Sequence, residues 1–160
     1  MEEKREIIQE KIYDENGNLK YTIIPNYKKV DNFMTENEIK FYKYLITELQ
    51  KIQKKYNLKL QVFPQVAINR IIKQNNRREK ELKKNLFARS IDFMIYDLEK
   101  DDIFCCIELD GKDHETEERK KTDINLNEAF KSAKIRLIRQ EIKTHYEENE
   151  IINKLIKKQN

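Results

Sequence analysis

Two apolar stretches that carry acidic residues decide the fold: SIDFMIYD at Ser90–Asp97 and IFCCIELD at Ile103–Asp110. Only the polar turn at residues 98–102 separates them. Because so short a connection joins antiparallel strands, the pair is predicted to form a β-hairpin. If Asp97 pairs with Ile103 across the turn, Asp92 lies directly opposite Glu108.

The acidic residues of this hairpin do not suit an ordinary core. Alternation along a strand puts Asp92 on the face of Met94, and puts Glu108 and Asp110 on the face of Cys106. Like charges that face each other across a ladder are destabilising, and a buried unpaired charge costs several kcal/mol. Two explanations are open. The acids pair with Lys or Arg at a sheet edge, or they bind a divalent metal such as Mg²⁺, which prefers oxygen ligands.

Helices and strands on either side of the hairpin complete the domain. Thr35 and Glu38 form a capping box, which predicts a helix beginning at Thr35 and ending near Tyr56. The remaining predicted elements are an N-terminal hairpin over residues 7–24 around Asn16-Gly17, a strand over Leu58–Val66, a helix over Glu115–Ala133, a strand over Ile135–Arg139 and a helix over Tyr146–Lys158. The order predicts an α/β domain with a mixed sheet flanked by helices.

Glu38 has two interpretations. As the third residue of the capping box it needs no other role. Its helical angle, however, places it inside the apolar stripe that faces the sheet, whereas Glu36 points away. The second interpretation would bring Glu38 to the acids of the hairpin.

Length and composition exclude several classes of protein. A chain of 160 residues is the size of one domain, and 33 basic against 29 acidic residues leave a net charge of only +4. The longest apolar run, Ile103–Ile107, is far too short to span a bilayer, and the N-terminus lacks a signal-peptide pattern. Cys105 and Cys106 would point to opposite faces of their strand, so we expect buried thiols in a reducing cytoplasm.

A basic segment precedes the hairpin. Between Lys73 and Lys84 there are six Lys or Arg residues and two Glu residues. A solvated basic helix is the ordinary explanation, and contact with a phosphate backbone is the other. The candidates for such contact are Arg77, Arg78, Lys80, Lys83 and Lys84.

The segments Arg89–Phe93 (RSIDF) and Ile107–His114 (IELDGKDH) resemble motifs of the PD-(D/E)XK, restriction-endonuclease-like superfamily. They are most similar to its small bacterial branch related to very-short-patch repair endonucleases. Arg119, Asp123 and the segment Ile135–Arg139 also match positions of that branch. The resemblance covers residues 35–139 and implies an αβββαβ core there. Because the sequence shows no domain boundary, we predict one domain of residues 1–160, with an N-terminal hairpin extension at 1–30 and a C-terminal helical extension at 140–160.

The resemblance also implies a phosphodiesterase that depends on Mg²⁺ or Mn²⁺. Asp92 and Glu108 would be the principal metal ligands, with Glu38 as a supporting helix carboxylate. The superfamily lysine two residues after the glutamate is here Asp110, an acid that could serve as a ligand or base. Further implied site residues are Lys112 as the missing cation, His114 as a phosphate or leaving-group contact rather than an exposed turn residue, and Arg89 and Arg119 as groups that offset phosphate charge.

The function expected from these residues is a metal-dependent endonuclease acting on DNA in repair, mobile-element or defence work. A catalytically inactive module of the same fold, which binds nucleic acid or a protein partner, is the alternative that Asp110 keeps open. RNA is an alternative substrate, because a metal site does not choose the sugar. The bare domain leaves room for a homodimer or a partner chain, and no membrane association is expected.

Overall fold

The computed structural model describes residues 10–23, 29–73, 84–111 and 117–156, and within them the side chains of residues 11–20, 29–73, 86–111 and 121–156. The chain divides into two compact units, Met1–Phe33 and Met34–Asn160. The organisation as one domain of 160 residues stays a prediction.

The first unit contains the predicted N-terminal hairpin. Strands β1 (Glu10–Tyr13) and β2 (Leu19–Ile23) pair antiparallel. Gly17 has a φ of 80°, which glycine adopts without strain. Asp14 Oδ1 accepts hydrogen bonds from the backbone N–H groups of Asn16 and Asn18, each at 2.9 Å. The turn that the Asn-Gly pair predicts is therefore present, whereas residues 7–9 and 24 lie outside the described part.

The second unit is a mixed α/β structure built on a four-stranded sheet. Its elements run in the predicted order of helix, three strands, helix and strand, with two short helices after the first strand and a further helix at the end. Their bounds are α1 (Glu36–Tyr56), β3 (Leu60–Ala67), α2 (Ile68–Ile71), α3 (Lys84–Phe87), β4 (Ser90–Asp97), β5 (Asp102–Asp110), α4 (Glu117–Ser132), β6 (Leu137–Glu141) and α5 (Glu150–Ile156).

The four strands lie in the order β3-β4-β5-β6. Strand β4 is antiparallel to both of its neighbours, β3 and β5, and β6 runs parallel to β5. The predicted register between β4 and β5 is confirmed in the middle of the hairpin, where Phe93 pairs with Ile107. It is wrong at the turn, because an irregularity between Ile95 and Tyr96 makes Asp97 pair with Asp102 rather than with Ile103.

Helix α1 begins where the sequence predicts. The Thr35 hydroxyl accepts from the Glu38 backbone N–H, and the Glu38 carboxylate accepts from the Thr35 backbone N–H, so the capping box is complete. The buried face of the helix presents Phe41, Leu45 and Leu49. These side chains belong to a core cluster that takes Phe93, Ile95, Cys105 and Ile107 from one face of the sheet and Ile151, Ile152 and Leu155 from α5.

The opposite face of the sheet has its own core cluster. Cys106 packs there with Leu126 and Phe130 of α4 and with Ile68 of α2. Cys105 and Cys106 are thus both free and buried, on opposite faces as predicted. Helices on both sides of a mixed sheet confirm the coarse architecture inferred from the sequence.

Two element boundaries near the C-terminus differ from the prediction. The Ile135 N–H donates to Phe130 O and Lys134 has a φ of 57°, so this segment ends α4, and β6 begins only at Leu137. Similarly, α5 begins at Glu150 rather than at Tyr146, because Asn149 has a φ of 63° and Tyr146 instead stacks on Tyr44 in the core. None of the described helices is long and apolar enough to cross a membrane.

Candidate functional site

Asp92 and Glu108 come together at the end of the β4–β5 hairpin that lies away from its turn. The ladder pairs Phe93 with Ile107, and its continuation places Asp92 opposite Glu108. Asp92 Oδ2 accepts a hydrogen bond of 2.7 Å from the backbone N–H of Leu109, so its carboxylate reaches across to β5. Glu108 is only 7% exposed. Two acidic side chains of adjacent strands therefore share a mostly buried position.

One oxygen of Glu108 is satisfied and the other is not. Arg89 lies just before β4 and its Nη2 is 3.1 Å from Glu108 Oε1. Glu108 Oε2 is buried, and no group in the described part of the chain forms a hydrogen bond with it. Leaving such an oxygen unpaired in the interior costs on the order of 1–3 kcal/mol, and more if it is charged.

The pKa values of both carboxyl groups reflect this crowding. Burial, together with the neighbouring Glu38 carboxylate, raises the pKa of Asp92 to about 6, against the opposing effects of the Leu109 N–H and Arg89. Burial and the Asp92 charge raise the pKa of Glu108 to about 7, although Arg89 and Arg139 lower it. Near neutral pH the pair is therefore poised to hold either a proton or a cation.

Glu38 joins the site from the first turn of α1. Glu38 Oε2 accepts from the Thr35 N–H at 2.7 Å, and Glu38 Oε1 accepts from Gln65 Nε2 at 3.0 Å. Its charge also acts on Asp92. Both interpretations of Glu38 therefore hold, since the residue completes the capping box and lies half-buried beside the acids of the sheet.

Gln65 is a member of the site that the sequence prediction missed. It lies in β3 between Pro64 and Val66, which pair with Phe93 and Ile91 on either side of Asp92. Its φ is 54°, an unusual value for a residue with a side chain. The only sequence signal was a proline inside a strand, which marks an edge or irregular strand without identifying its neighbour as a site residue.

A second ion-pair network borders the acids. Arg139 of β6 is the ladder neighbour of Glu108. Arg139 Nη1 lies 2.7 Å from Asp110 Oδ1, and Arg139 Nη2 lies 3.0 Å from Asp123 Oδ1 of α4. The sequence placed Arg139 in the closing strand and Asp123 at the start of a helix, but it could not show that they meet at Asp110.

Residues 30–159 of the sequence match the family described as Protein of unknown function (DUF2726). The chain belongs to this family. Neither a curated protein nor a solved structure matches the chain. The match covers all the residues that form the site and leaves out the N-terminal hairpin.

Several predicted site residues of this DUF2726 chain cannot be placed. Lys112 and His114 lie outside the described residues, as do Arg77, Arg78, Lys80 and Lys83. Lys84 begins α3 and Arg119 lies in α4, but their side chains are among those not described. The structure thus brings together Glu38, Asp92, Glu108 and Arg89, and it engages Asp110 with Arg139.

The donor set of the site can be compared with what a metal needs. Within the described residues, no group of three or more His, Cys, Asp or Glu side chains converges on one cation position. Mg²⁺, however, is commonly held by one or two carboxylates and completes its octahedron with waters and substrate phosphates. The two carboxylates of Asp92 and Glu108, the latter with its unpaired Oε2, provide hard oxygen ligands of that kind. The residues present therefore fit a magnesium-type ion bound largely by water.

Proposed function

We propose that this chain is a divalent-metal-dependent endonuclease that hydrolyses phosphodiester bonds in DNA. The proposal includes a restriction-endonuclease-like core over residues 35–139 and a metal site formed by Asp92 and Glu108, while the neighbouring Asp110 is paired with Arg139. Mg²⁺ or Mn²⁺ would be the metal.

The arrangement of the sheet supports this core. Three antiparallel strands are followed by a helix and a strand parallel to the third, in the spatial order β3-β4-β5-β6. The resemblance of Arg89–Phe93 and Ile107–His114 implies an αβββαβ order, and the same order occurs here. The implied metal ligands Asp92 and Glu108 lie on the two central strands of that sheet.

The observation that carries the proposal is the apposition of Asp92 and Glu108. Burial and the Glu38 charge raise the pKa of Asp92 to about 6, and burial and the Asp92 charge raise that of Glu108 to about 7, so keeping both ionised near pH 7 costs free energy. A divalent cation would remove this cost. A fold that needed only structural acids would gain by supplying donors to both oxygens, as it does for the buried Glu48, which accepts from Lys51 Nζ at 2.6 Å and from the Asn149 N–H at 2.7 Å.

Each residue of the site then has a defined task. When bound, a divalent cation polarises a phosphoryl oxygen and lowers the pKa of a coordinated water. Asp92 and Glu108 hold that charge in place, and Glu38 is fixed by Thr35 and Gln65 so that its charge lies beside Asp92. Arg89 compensates Glu108 while the site holds no metal. Lys112, His114, Arg119 and the basic segment 77–84 remain proposed contacts for the nucleic acid.

The direct test is cleavage with a matched set of carboxylate variants. Purified protein is incubated with plasmid, single-stranded DNA and RNA in Mg²⁺, Mn²⁺ or EDTA. We expect metal-dependent cleavage of DNA that is lost in Asp92→Asn and Glu108→Gln. Asp102→Asn is the control, because Asp102 is an exposed acid at the other end of β5. Cleavage that persists in both site variants would refute the metal site, and cleavage of RNA alone would change the substrate.

A nuclease-fold module without catalytic activity is the second candidate. It is favoured by the engagement of Glu108 with Arg89 and of Asp110 with Arg139, since both arginines neutralise the acids without a metal. Under this alternative, no cleavage occurs with any metal, while DNA binding is intact and weakens with salt. Anisotropy titrations with labelled duplex at several salt concentrations distinguish the two candidates.

A further inference from the structure

Arg139 is a positively charged side chain at the site, and the proposed function has not yet given it a role. It extends from β6 beside Glu108, and its side chain is 26% exposed. Asp110 at the end of β5 and Asp123 of α4 hold its two terminal nitrogens, at 2.7 Å and 3.0 Å. Two carboxylates from different elements thus fix the plane and direction of one guanidinium group.

The charges around the site indicate why a positive side chain, in addition to a metal, would help to bind a phosphate. Among the residues whose side chains are described, five carboxylates surround the site (Glu38, Asp92, Glu108, Asp110 and Asp123), against the two arginines Arg89 and Arg139. A phosphodiester that approaches this surface is itself an anion, so even a bound divalent cation leaves it facing excess negative charge. A positive group of the protein that faces the phosphate would offset this negative charge.

The two arginines differ in their partners, although their side chains are similarly exposed, 34% for Arg89 and 26% for Arg139. Arg89 is bonded to Glu108, one of the proposed metal ligands, so its charge is used at the buried end of the site. The partners of Arg139 are more exposed, because Asp110 is 43% and Asp123 46% accessible. A guanidinium carries five N–H donors in a rigid fork, so ion pairs through its two terminal nitrogens leave further donors for an anion.

We propose that Arg139 is the phosphate-contacting cation of this site and that Asp110 and Asp123 are the positioning residues that aim it. The inference rests on the proposed nuclease function and extends it. It gives Asp110, which stands where the resembled superfamily has a lysine, the task of holding a cation supplied by the neighbouring strand.

The hydrolytic step shows what the guanidinium would do. A bond forms between a water oxygen and phosphorus, and the bond from phosphorus to the leaving sugar oxygen breaks. The water gives up a proton to solvent or a base, and the leaving oxygen takes one up. Negative charge on the non-bridging oxygens shifts during this step, and a fixed guanidinium that faces them stabilises the transition state.

A purely structural ion pair is the competing explanation, since Arg139 also ties α4 and β5 to β6. Three variants separate the two explanations: Arg139→Met, Arg139→Lys and the double variant Asp110→Lys with Arg139→Met, which returns a cation to the site from the neighbouring strand. Lys143→Met is the matched control, because Lys143 forms a comparable ion pair with Glu150 at 2.8 Å away from the acids.

Cleavage kinetics provide the first readout. We expect Arg139→Met to lower kcat about 100-fold, with a smaller change in KM and no loss of Mn²⁺ affinity. Arg139→Lys should retain an intermediate kcat, and the double variant should recover at least about tenfold of the loss of Arg139→Met. Lys143→Met should lower the thermal midpoint only.

Binding without turnover provides the second readout. With Ca²⁺ in place of Mg²⁺, the slope of log K against log salt for a short duplex should fall by about one in Arg139→Met. Unchanged kcat and an unchanged slope in Arg139→Met would overturn the proposal. So would a double variant no more active than Arg139→Met. If Asp92→Asn and Glu108→Gln are inactive while Arg139→Met is fully active, this inference alone fails; if all cleave normally, the proposed function fails as well.

Discussion

Asp92 and Asp97 lie in the same strand, β4, yet their surroundings shift their pKa values in opposite directions. Asp97 is 2% exposed, and its Oδ1 accepts from the backbone N–H groups of Glu99 at 3.1 Å and Lys100 at 3.2 Å. The Lys100 ammonium lies 3.2 Å from its other oxygen. Burial alone would raise the pKa of Asp97, but these bonds outweigh it and hold the pKa below its usual range.

At the other end of the strand, Asp92 has fewer hydrogen-bond donors around it than Asp97 has. Asp92 receives one backbone N–H, from Leu109, and faces two further acids, Glu38 and Glu108. Its pKa is raised, as is that of Glu108. An acid whose own turn supplies donors is a structural group. An acid that is buried among like charges needs a proton or a metal, and this difference marks the site more clearly than burial does.

The largest expected effect of this contrast is on cleavage by Glu108→Gln. Loss of one of two metal-binding carboxylates should lower kcat by at least about 100-fold, since metal stabilisation of the transition state is worth several kcal/mol. The amide cannot be ionised, so the variant should be no less stable than the wild type at pH 8. Activity assays and urea unfolding at pH 8 check this. A Glu108→Gln variant that is less stable than the wild type, but whose folded molecules cleave normally, would make Glu108 a structural residue and contradict this contrast.

The next effect is the dependence of stability on pH. The folded-state pKa values of Asp92 and Glu108, about 6 and about 7, exceed the ordinary values of 3.8 and 4.5 for these side chains. Between about pH 4 and pH 7 the folded state therefore binds more protons than the unfolded state, so their contribution to stability falls as pH rises.

The loss of stability between low and high pH can be measured by comparing the wild type with a variant that lacks both carboxylates. One pKa unit corresponds to about 1.4 kcal/mol, and because the two groups share one partly solvated site we expect a combined loss on the order of 2–3 kcal/mol. Urea unfolding without metal at pH 5 and pH 8 should show it for the wild type. The double variant Asp92→Asn with Glu108→Gln should show a change smaller by that amount. Equal changes in the two proteins would contradict the raised pKa values.

At the turn end of the hairpin we expect a smaller effect, which changes stability and leaves activity unchanged. Asp97→Ala should lower the free energy of unfolding by about 1–2 kcal/mol, because the Glu99 and Lys100 N–H groups lose their acceptor. Its kcat per folded molecule should equal that of the wild type. Chemical denaturation and single-turnover cleavage measure the two quantities, and a loss of kcat larger than the folded fraction explains would make Asp97 part of the site.

The sequence predicted the local features of the molecule well. Thr35 and Glu38 marked the beginning of α1, and the short turn after Asp97 predicted the hairpin. The register that opposes Asp92 to Glu108 followed from an assumed pair of Asp97 with Ile103; that pair is wrong, and the irregularity between Ile95 and Tyr96 restores the expected register at Phe93. These features depend on neighbours in the chain or across a short turn. For the same reason the position of Glu38 within the apolar stripe of its helix could be anticipated.

Features that depend on tertiary contacts could not be predicted. The pairing of Arg139 with Asp110 and Asp123 needs the parallel alignment of β6 with β5, and no periodicity contains that information. The left-handed φ of Gln65 and its bond to Glu38 depend on how β3 passes α1. The irregularity near Tyr96 moved the pairing at the turn, while the register at Phe93 stayed as predicted.

The central claim, that Asp92 and Glu108 form a cation site, is tested most directly by calorimetric titration with Mn²⁺ at pH 7. Buffers of different ionisation enthalpy report the protons released on binding. We predict saturable binding that releases protons, because carboxyl groups with raised pKa values must lose them to bind a metal. Both the binding and the release should disappear in the double variant Asp92→Asn with Glu108→Gln and persist in Asp97→Ala. No binding, or binding that the double variant retains, would contradict the claim.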